Sequence, residues 1–195
     1  MQRPDVRWLA IGGVAGPIAF VATWAVAGSI KTGYSPINDA ISDLAARHAS
    51  THAAMTLGFV AFGLAVIAFG FALRVAGAGP AWISTVATAG FTLAVAAVPL
   101  GGPTRDVVHG VFASLGYLTL AAAPLLAARP FDAAGRPGWA RASRLTGVLA
   151  GACLLASALG PVHGLFQRTG LTIGDAWLVA TASQLLCSRE IFEPA

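Results

Sequence analysis

The chain of 195 residues is 56% hydrophobic and only 10% charged, with a mean hydropathy of +0.74. Soluble proteins carry roughly 25% charged residues, so this composition excludes an ordinary water-soluble domain. The net charge of +4 comes from basic residues scattered between apolar stretches, with no cluster of the kind that binds nucleic acid, so nucleic acid is not an expected partner.

Six apolar stretches follow one another along the chain, and each is long enough to cross a bilayer. They do not alternate as barrel strands do, so the sequence predicts helices. The predicted fold is all-α, a single integral membrane domain over residues 1–195 with spans at roughly 8–29, 53–73, 80–101, 107–127, 145–165 and 171–188. No charged residue falls near a predicted midplane, which argues against a proton pump or an ion exchanger.

The distribution of Lys and Arg predicts the orientation of this bundle. Eight basic residues fall on the side that holds both termini: Arg3, Arg7, Arg74, Arg129, Arg136, Arg141, Arg144 and Arg189. Four fall on the opposite side: Lys31, Arg47, Arg105 and Arg168. Because basic loops stay in the cytoplasm, we expect a cell-membrane protein with both termini cytoplasmic. All four histidines then lie near the outer face: His48, His52, His109 and His163.

The first outer loop carries the pattern of a short amphipathic helix. Ser35-Pro36 suits a helix start, and three apolar residues recur at helical spacing: Ile37, Ile41 and Leu44. The other face carries Asp39, Ser42 and Asp43, with Arg47 placed to pair with Asp43. Two interpretations remain open. The helix lies in the membrane interface with a solvated polar face, or it folds over the bundle mouth with these polar side chains inward.

A second polar group opens the fourth span. Arg105, Asp106 and His109 stand at i, i+1 and i+4, so the charged neighbours are placed to set the charge state of the imidazole. We expect the fourth helix to begin near Val107, with His109 in its first turn. The alternative is a capped helix end with an interfacial histidine. A buried imidazole needs a partner, and we expect His163 or an acid of the first outer loop, preferably Asp43.

The segment Val108-His109-Gly110-Val111-Phe112 is echoed by Val162-His163-Gly164-Leu165-Phe166. We expect the first at an outer helix start and the second at an outer helix end, so that the two histidines meet across the bundle mouth. Two histidines with Asp43 or Asp106 form a plausible ligand set, but the sequence has no dense metal-ligand spacing. No metal site and no cofactor is therefore predicted.

The segment from Gly33 to Leu44, with the run Tyr34-Ser35-Pro36 and then Ser42-Asp43-Leu44, resembles the six-helix bacterial membrane-protein family catalogued as domain of unknown function 998. His109 at the start of the fourth helix and the Gly-Leu-Phe-Gln-Arg run at 164–168 extend the resemblance over nearly the whole chain, with Gln167 where the family leads us to expect an acid. The resemblance implies the six-helix architecture and adds weight to Ser42, Asp43 and His109. It implies no reaction.

Two functional hypotheses follow. In the favoured one, the protein sits in the lipid bilayer and binds a lipid, another amphiphilic small molecule or a membrane-protein partner through the outer polar cluster. In the alternative, it is a membrane-embedded enzyme acting on an amphiphile at the outer leaflet. Its candidate catalytic residues are His109, Asp43 and His163, and its candidate substrate-binding residues are Arg105, Ser42, Asp39 and Asp106. A pocket into which these side chains converge distinguishes an active site from a closed latch.

Overall fold

A computed structural model describes residues 6–188 and 191–192 of the chain. It is 81% helical, with no strand in the part described. The six helices are α1 (Arg7–Ile30), α2 (His52–Ala76), α3 (Ala81–Ala97), α4 (Pro103–Ala133), α5 (Pro137–Leu159) and α6 (His163–Cys187). Four of them, α1, α2, α4 and α5, are long and apolar enough to cross a membrane, and α3 is a shorter apolar helix of 17 residues. The all-α prediction is confirmed, and these helices indicate a multi-pass membrane protein.

The six helices form a closed ring in sequence order. Each helix packs against the next, and α6 returns to pack against α1. Connections of three to five residues follow α2, α3, α4 and α5, so neighbouring helices run antiparallel. We call the end with segments 31–51, 98–102 and 160–162 the loop end, and the opposite end the terminus end.

Local sequence explains where several helices begin, end and touch. Proline occupies the first position of α4 and α5, where its missing N–H is not needed, and Gly77 ends α2 in the left-handed region with φ of 84°. Glycine also lets α1 approach α2, since a Cβ at Gly12 would lie 2.1 Å from the Ala65 carbonyl oxygen. The contact between α1 and α2 therefore includes close backbone packing at this glycine.

The predicted boundaries of the fifth and sixth spans are wrong. Instead of 145–165 and 171–188, α5 ends at Leu159, a turn occupies residues 160–162, and α6 begins at His163. Residues 166–170, which the predicted spans leave as their connection, lie inside α6. Asp175, expected at the start of the sixth span, is the thirteenth residue of a 25-residue helix and is only 3% exposed. The expectation that the helices hold no charge at mid-length fails with it.

The first loop also differs from its prediction. It contains no α-helix over 37–47, only a 3-10 helix over Ile41–Ala45. Each acid caps the start of a separate turn, since Asp39 accepts from the Ser35 N–H at 2.7 Å and Asp43 accepts from the Ala40 N–H at 2.9 Å. The segment therefore forms two short capped turns and not one continuous helix. Ile41 and Leu44 are buried as predicted, whereas Ile37 is exposed.

The charge count behind the predicted orientation includes residues at both ends of the chain. Of the basic residues counted, Arg3 and Arg189 lie outside the described residues. Arg168, counted among the outer loop charges, is instead buried within α6.

Candidate functional site

Residues 35–47, which we call the lid, lie across the loop end of the ring. Several backbone groups of the lid bond to distant parts of the chain, and three of them bond to Gln167, Leu165 and Leu100. The Ile41 N–H donates to Gln167 Oε1 at 2.8 Å, the Ile37 carbonyl accepts from Leu165 N–H at 2.9 Å, and the Arg47 N–H donates to the Leu100 carbonyl at 3.0 Å. The lid is therefore fixed both to α6 and to the segment between α3 and α4.

Ser42 and His109 join the lid to α4 through a buried side-chain hydrogen bond. His109 Nε2 lies 2.9 Å from Ser42 Oγ, and His109 Nδ1 lies 2.7 Å from the Val98 carbonyl oxygen. A carbonyl oxygen can only accept, so Nδ1 carries a proton, and in the neutral imidazole Nε2 accepts from the Ser42 hydroxyl. His109 is 3% exposed, and it lies in the second turn of α4, since this helix begins at Pro103 and not near Val107.

Arg168 is the centre of a second set of lid contacts. Its Nη1 donates to the carbonyls of Pro36 at 2.7 Å, Asp39 at 2.9 Å and Gly164 at 3.0 Å, and its Nη2 donates to the Tyr34 hydroxyl. The guanidinium also lies 5.4 Å from the centre of the Trp24 ring and 5.3 Å from that of Tyr34. A single buried side chain thus binds the lid, the first loop and α1 to α6.

Close approach of the lid to α6 depends on Gly164. A Cβ at this position would lie 2.4 Å from the Asp39 carbonyl oxygen and 2.9 Å from that of Pro36. Both carbonyls accept from Arg168, which follows Gly164 by one helical turn. Gly164 therefore leaves the space in which Arg168 binds the lid.

Tyr34 is an ionisable group among these lid contacts, and its pKa is raised. Burial raises its pKa from 10.0 to about 12, Arg168 opposes the rise through its charge and its hydrogen bond, and Asp43 and Asp39 add to it. The Tyr34 hydroxyl donates to the Ala40 carbonyl at 2.9 Å, so the neutral phenol is the form that the lid uses.

The other predicted site residues do not form the two clusters that the sequence led us to expect. Asp43 does not bond to His109; its side chain caps Ala40, and Ser42 takes the position next to the imidazole. Asp106 is exposed and accepts from the N–H groups of Gly101 and Gly102 at 2.9 and 3.4 Å. Arg105 makes no ion pair or hydrogen bond to any residue that the structure describes.

His163 begins α6 and does not end α5, so both echoed histidines lie near helix starts at the loop end. It is half-buried, and its ring bonds to no other described residue. It lines the same cavity as His109. Within residues 6–188 and 191–192, no group of three or more His, Cys, Asp or Glu side chains is placed to hold a metal.

A family model described as "Protein of unknown function (DUF998)" matches residues 14–184. The chain belongs to this family. The matched residues include the lid, the whole of α4, and His109, Gln167 and Arg168, so the polar contacts at the loop end lie within the shared region. No curated protein and no solved structure matches the chain.

A groove of about 490 Å³ runs between α4 and α5 from the loop end. Its polar residues belong to the lid, α4, α5 and α6: Ser42, Asp106, His109, Ser114, Tyr117, Ser157, His163 and Gln167. Its other walls are apolar, with Ala121, Gly151 and Leu154 among them. Leu118 and Leu155, 66% and 63% exposed, line it where it reaches the surface of the bundle. The volume is within the range of small-molecule sites, roughly 300–1,000 Å³.

A smaller cavity of about 50 Å³ lies inside the ring beneath the lid, and we call it the chamber. Four residues line both the chamber and the groove: Ser42, Ala113, Tyr117 and Gln167. The Gln167 amide donates to the Tyr117 hydroxyl, so a hydrogen-bonded pair stands between the two spaces.

Sequence reasoning missed four residues of this region: Tyr34, Tyr117, Gln167 and Arg168. Two of them carried a signal. Gln167 and Arg168 stand in the motif at 164–168, and Arg168 follows Gly164 by four residues, which places both on one face if the helix is continuous. The misplaced start of α6 hid this relation.

Proposed function

We propose that this protein binds an amphiphile of the bilayer in the groove between α4 and α5, with the polar head group at the loop end. The groove itself carries the proposal. Hydrogen-bonding side chains occupy its loop end, apolar residues form its walls further along the helices, and exposed leucines line its opening. An acyl chain fits apolar walls, and a head group needs donors and acceptors.

Several side chains support recognition of the head group. His163 has no described partner, so its ring nitrogens are free to donate and accept, and Ser114 and Ser157 add hydroxyl groups nearby. The eight-to-four distribution of basic residues supports cytoplasmic termini in a cell membrane, which puts this end of the groove in the outer leaflet. Arg168 is buried, so the loop charge outside is smaller still.

A larger side chain placed in the groove tests whether lipid binds there. A Cβ at Gly151 would make only an ordinary contact of 3.6 Å with Ala121, so Gly151→Leu projects a side chain into the groove without a backbone collision. Gly90→Leu is the matched control, because Gly90 lies on the exposed side of α3 with open space around it. The probe is a phosphatidylglycerol with a diazirine in one acyl chain, titrated into detergent-purified protein and photolysed.

We expect saturable labelling of peptides that contain Leu118 and Leu155. Gly151→Leu reduces this labelling by about fivefold or more, and Gly90→Leu leaves it unchanged. Labelling no stronger than at the exposed Leu64 and Ile83, or labelling that Gly151→Leu does not change, removes the groove as a lipid site. A membrane-protein partner copurifying with the wild type but not with Gly151→Leu would replace lipid as the occupant.

The hydrogen bond between Ser42 and His109 favours a second candidate function, acyl transfer from an ester-bearing amphiphile. In this reaction Ser42 Oγ attacks the ester carbonyl carbon, and its proton passes to His109 Nε2. The proton then goes to the leaving alcohol as the ester C–O bond breaks. Water activated by His109 hydrolyses the acyl-serine to the free acid. The Val98 carbonyl fixes the imidazole through Nδ1, the position that an acid holds in a triad.

A fluorophosphonate probe tests this second function, because it labels serines that a neighbouring base activates. In lipid nanodiscs we expect labelling of the wild type at Ser42 and none of Ser42→Ala. His109→Asn keeps a polar group but removes the base, and it should slow labelling by about 100-fold or more. If the wild type is not labelled, or the label lies on another serine, the Ser42–His109 pair acts only as a latch between lid and bundle.

A further inference from the structure

Asp175 is a buried carboxylate whose two oxygens have no hydrogen-bond partner in the described chain. It lies halfway along α6, is 3% exposed and lines the chamber. None of the proposed functions uses it. An ionised carboxylate is unfavourable when it is buried without a partner, so Asp175 either carries a proton or meets a cation that the described chain does not supply.

The chamber walls define the kind of group that would meet this carboxylate. Five phenylalanines from four helices line it: Phe20, Phe59, Phe62, Phe91 and Phe112. The rings of Phe20 and Phe62 have centroids 5.2 Å apart, and those of Phe20 and Phe59 are 5.6 Å apart, so at least three rings are clustered. The faces of aromatic rings attract cations, especially where water is excluded.

The lining lacks any counter-charge of its own, since none of the described residues around the chamber is Lys, Arg or His. Its remaining oxygens are few, and the hydroxyls of Thr88 and Thr92 already donate to neighbouring groups. A Mg²⁺ or Ca²⁺ ion needs six or more oxygen ligands, usually with more than one carboxylate. A chamber that is mostly aromatic suits a cation that needs few oxygens.

We propose that the chamber binds a small organic ammonium ion, with its N–H groups on the Asp175 carboxylate and its carbon atoms against the phenylalanine rings. One carboxylate balances one positive charge, and the rings surround the apolar part of the ion. The volume of about 50 Å³ limits the ion to a few heavy atoms. Gln167 and Tyr117 stand between the chamber and the groove, which places the entry path at this pair. The inference does not depend on lipid binding in the groove.

The experiment measures thermal stability of the purified protein at pH 7 against methylammonium chloride, with tetraethylammonium chloride as a cation of equal charge that is too large to enter. We expect a saturable rise in Tm with methylammonium and none with tetraethylammonium. Asp175→Asn keeps the shape of the side chain and should weaken binding by about tenfold or more, because a neutral amide has no charge for the ion. Asp132→Asn, at an exposed acid on the terminus end, is the matched control and should bind as the wild type does.

A rise of equal size with tetraethylammonium, with sodium chloride, or in Asp175→Asn means a general salt effect and overturns the proposal, as does no rise at all. If Asp175→Asn does not fold, the proposal is tested on the wild type with alkylammonium ions of increasing size. Affinity that falls from methylammonium through ethylammonium to butylammonium supports a closed chamber. Affinity that rises along this series indicates binding to an open apolar surface and contradicts the proposal.

Discussion

The two ends of the bundle are held together by different interactions. At the terminus end, Phe131 is buried between aromatic rings, with centroid distances of 5.5 Å to Trp139 and 4.5 Å to Phe192. At the loop end, the lid is held by a few buried hydrogen bonds centred on His109, Gln167 and Arg168. Apolar packing distributes its energy over many contacts, whereas each hydrogen bond at the loop end involves a specific pair of groups. The candidate site lies at the end whose structure depends on such pairs.

The largest loss of stability should come from a substitution at the terminus end. Phe131→Ala removes a side chain that is 1% exposed, so we expect a loss of about 4 kcal/mol in the free energy of unfolding. Equilibrium unfolding in mixed micelles measures this loss. Hydrogen exchange of the lid amides below the unfolding transition should remain as in the wild type. Faster exchange in the lid would show that the two ends are coupled and would break the comparison.

The next effect should come from Arg168→Met, which keeps a long apolar side chain but leaves the Pro36 and Asp39 carbonyls without their donor. We expect a loss of about 3 kcal/mol, together with faster hydrogen exchange in the lid. The control is Arg144→Met at the terminus end, where the ion pair with Asp132 is exposed and should contribute about 1 kcal/mol or less. Equal losses from the two variants would mean that the buried arginine has no special role.

The smallest effect should appear as a pH dependence. Because burial raises the pKa of Tyr34 to about 12, the folded state holds the phenol proton more tightly than the unfolded chain does. The resulting stability is complete below about pH 10 and is lost as the pH rises through about 12. We expect the difference in Tm between the wild type and Tyr34→Phe to shrink over this interval. A difference that stays constant up to pH 12 would place Tyr34 in water rather than beneath the lid.

The same contrast explains what could be predicted from the sequence. Six apolar stretches predict six helices because membrane-spanning segments are defined by composition, a local property. Glycine within an apolar stretch likewise favours close helix packing, and Gly12 approaches Ala65 closely in the structure. The fold could be predicted because each of these features is determined within one segment of the chain.

The site was harder to predict because the residues that bond to one another there are far apart in the sequence. Gln167 bonds to Ile41 across 126 positions, and Arg168 bonds to Pro36 across 132. Two polar residues in a row look like a loop when their partners are unknown, so α6 was expected to begin too late. Ser42 and His109 were both singled out, but the sequence offers no way to choose Ser42 over its charged neighbour Asp43 as the partner of the imidazole.

The ring closes only when α6 packs against α1, and this has a consequence for synthesis. The ribosome makes the first loop more than 100 residues before it makes Arg168, as the separation of 132 between Pro36 and Arg168 shows. Through most of translation the backbone groups of the lid that later bond to α6 have no donor or acceptor there. Until α6 inserts, these backbone groups must bond to water or to other partners. Insertion of α6 closes the ring and supplies these partners in one late event, so a chain truncated before α6 would lack the contacts of the lid with Gln167 and Arg168.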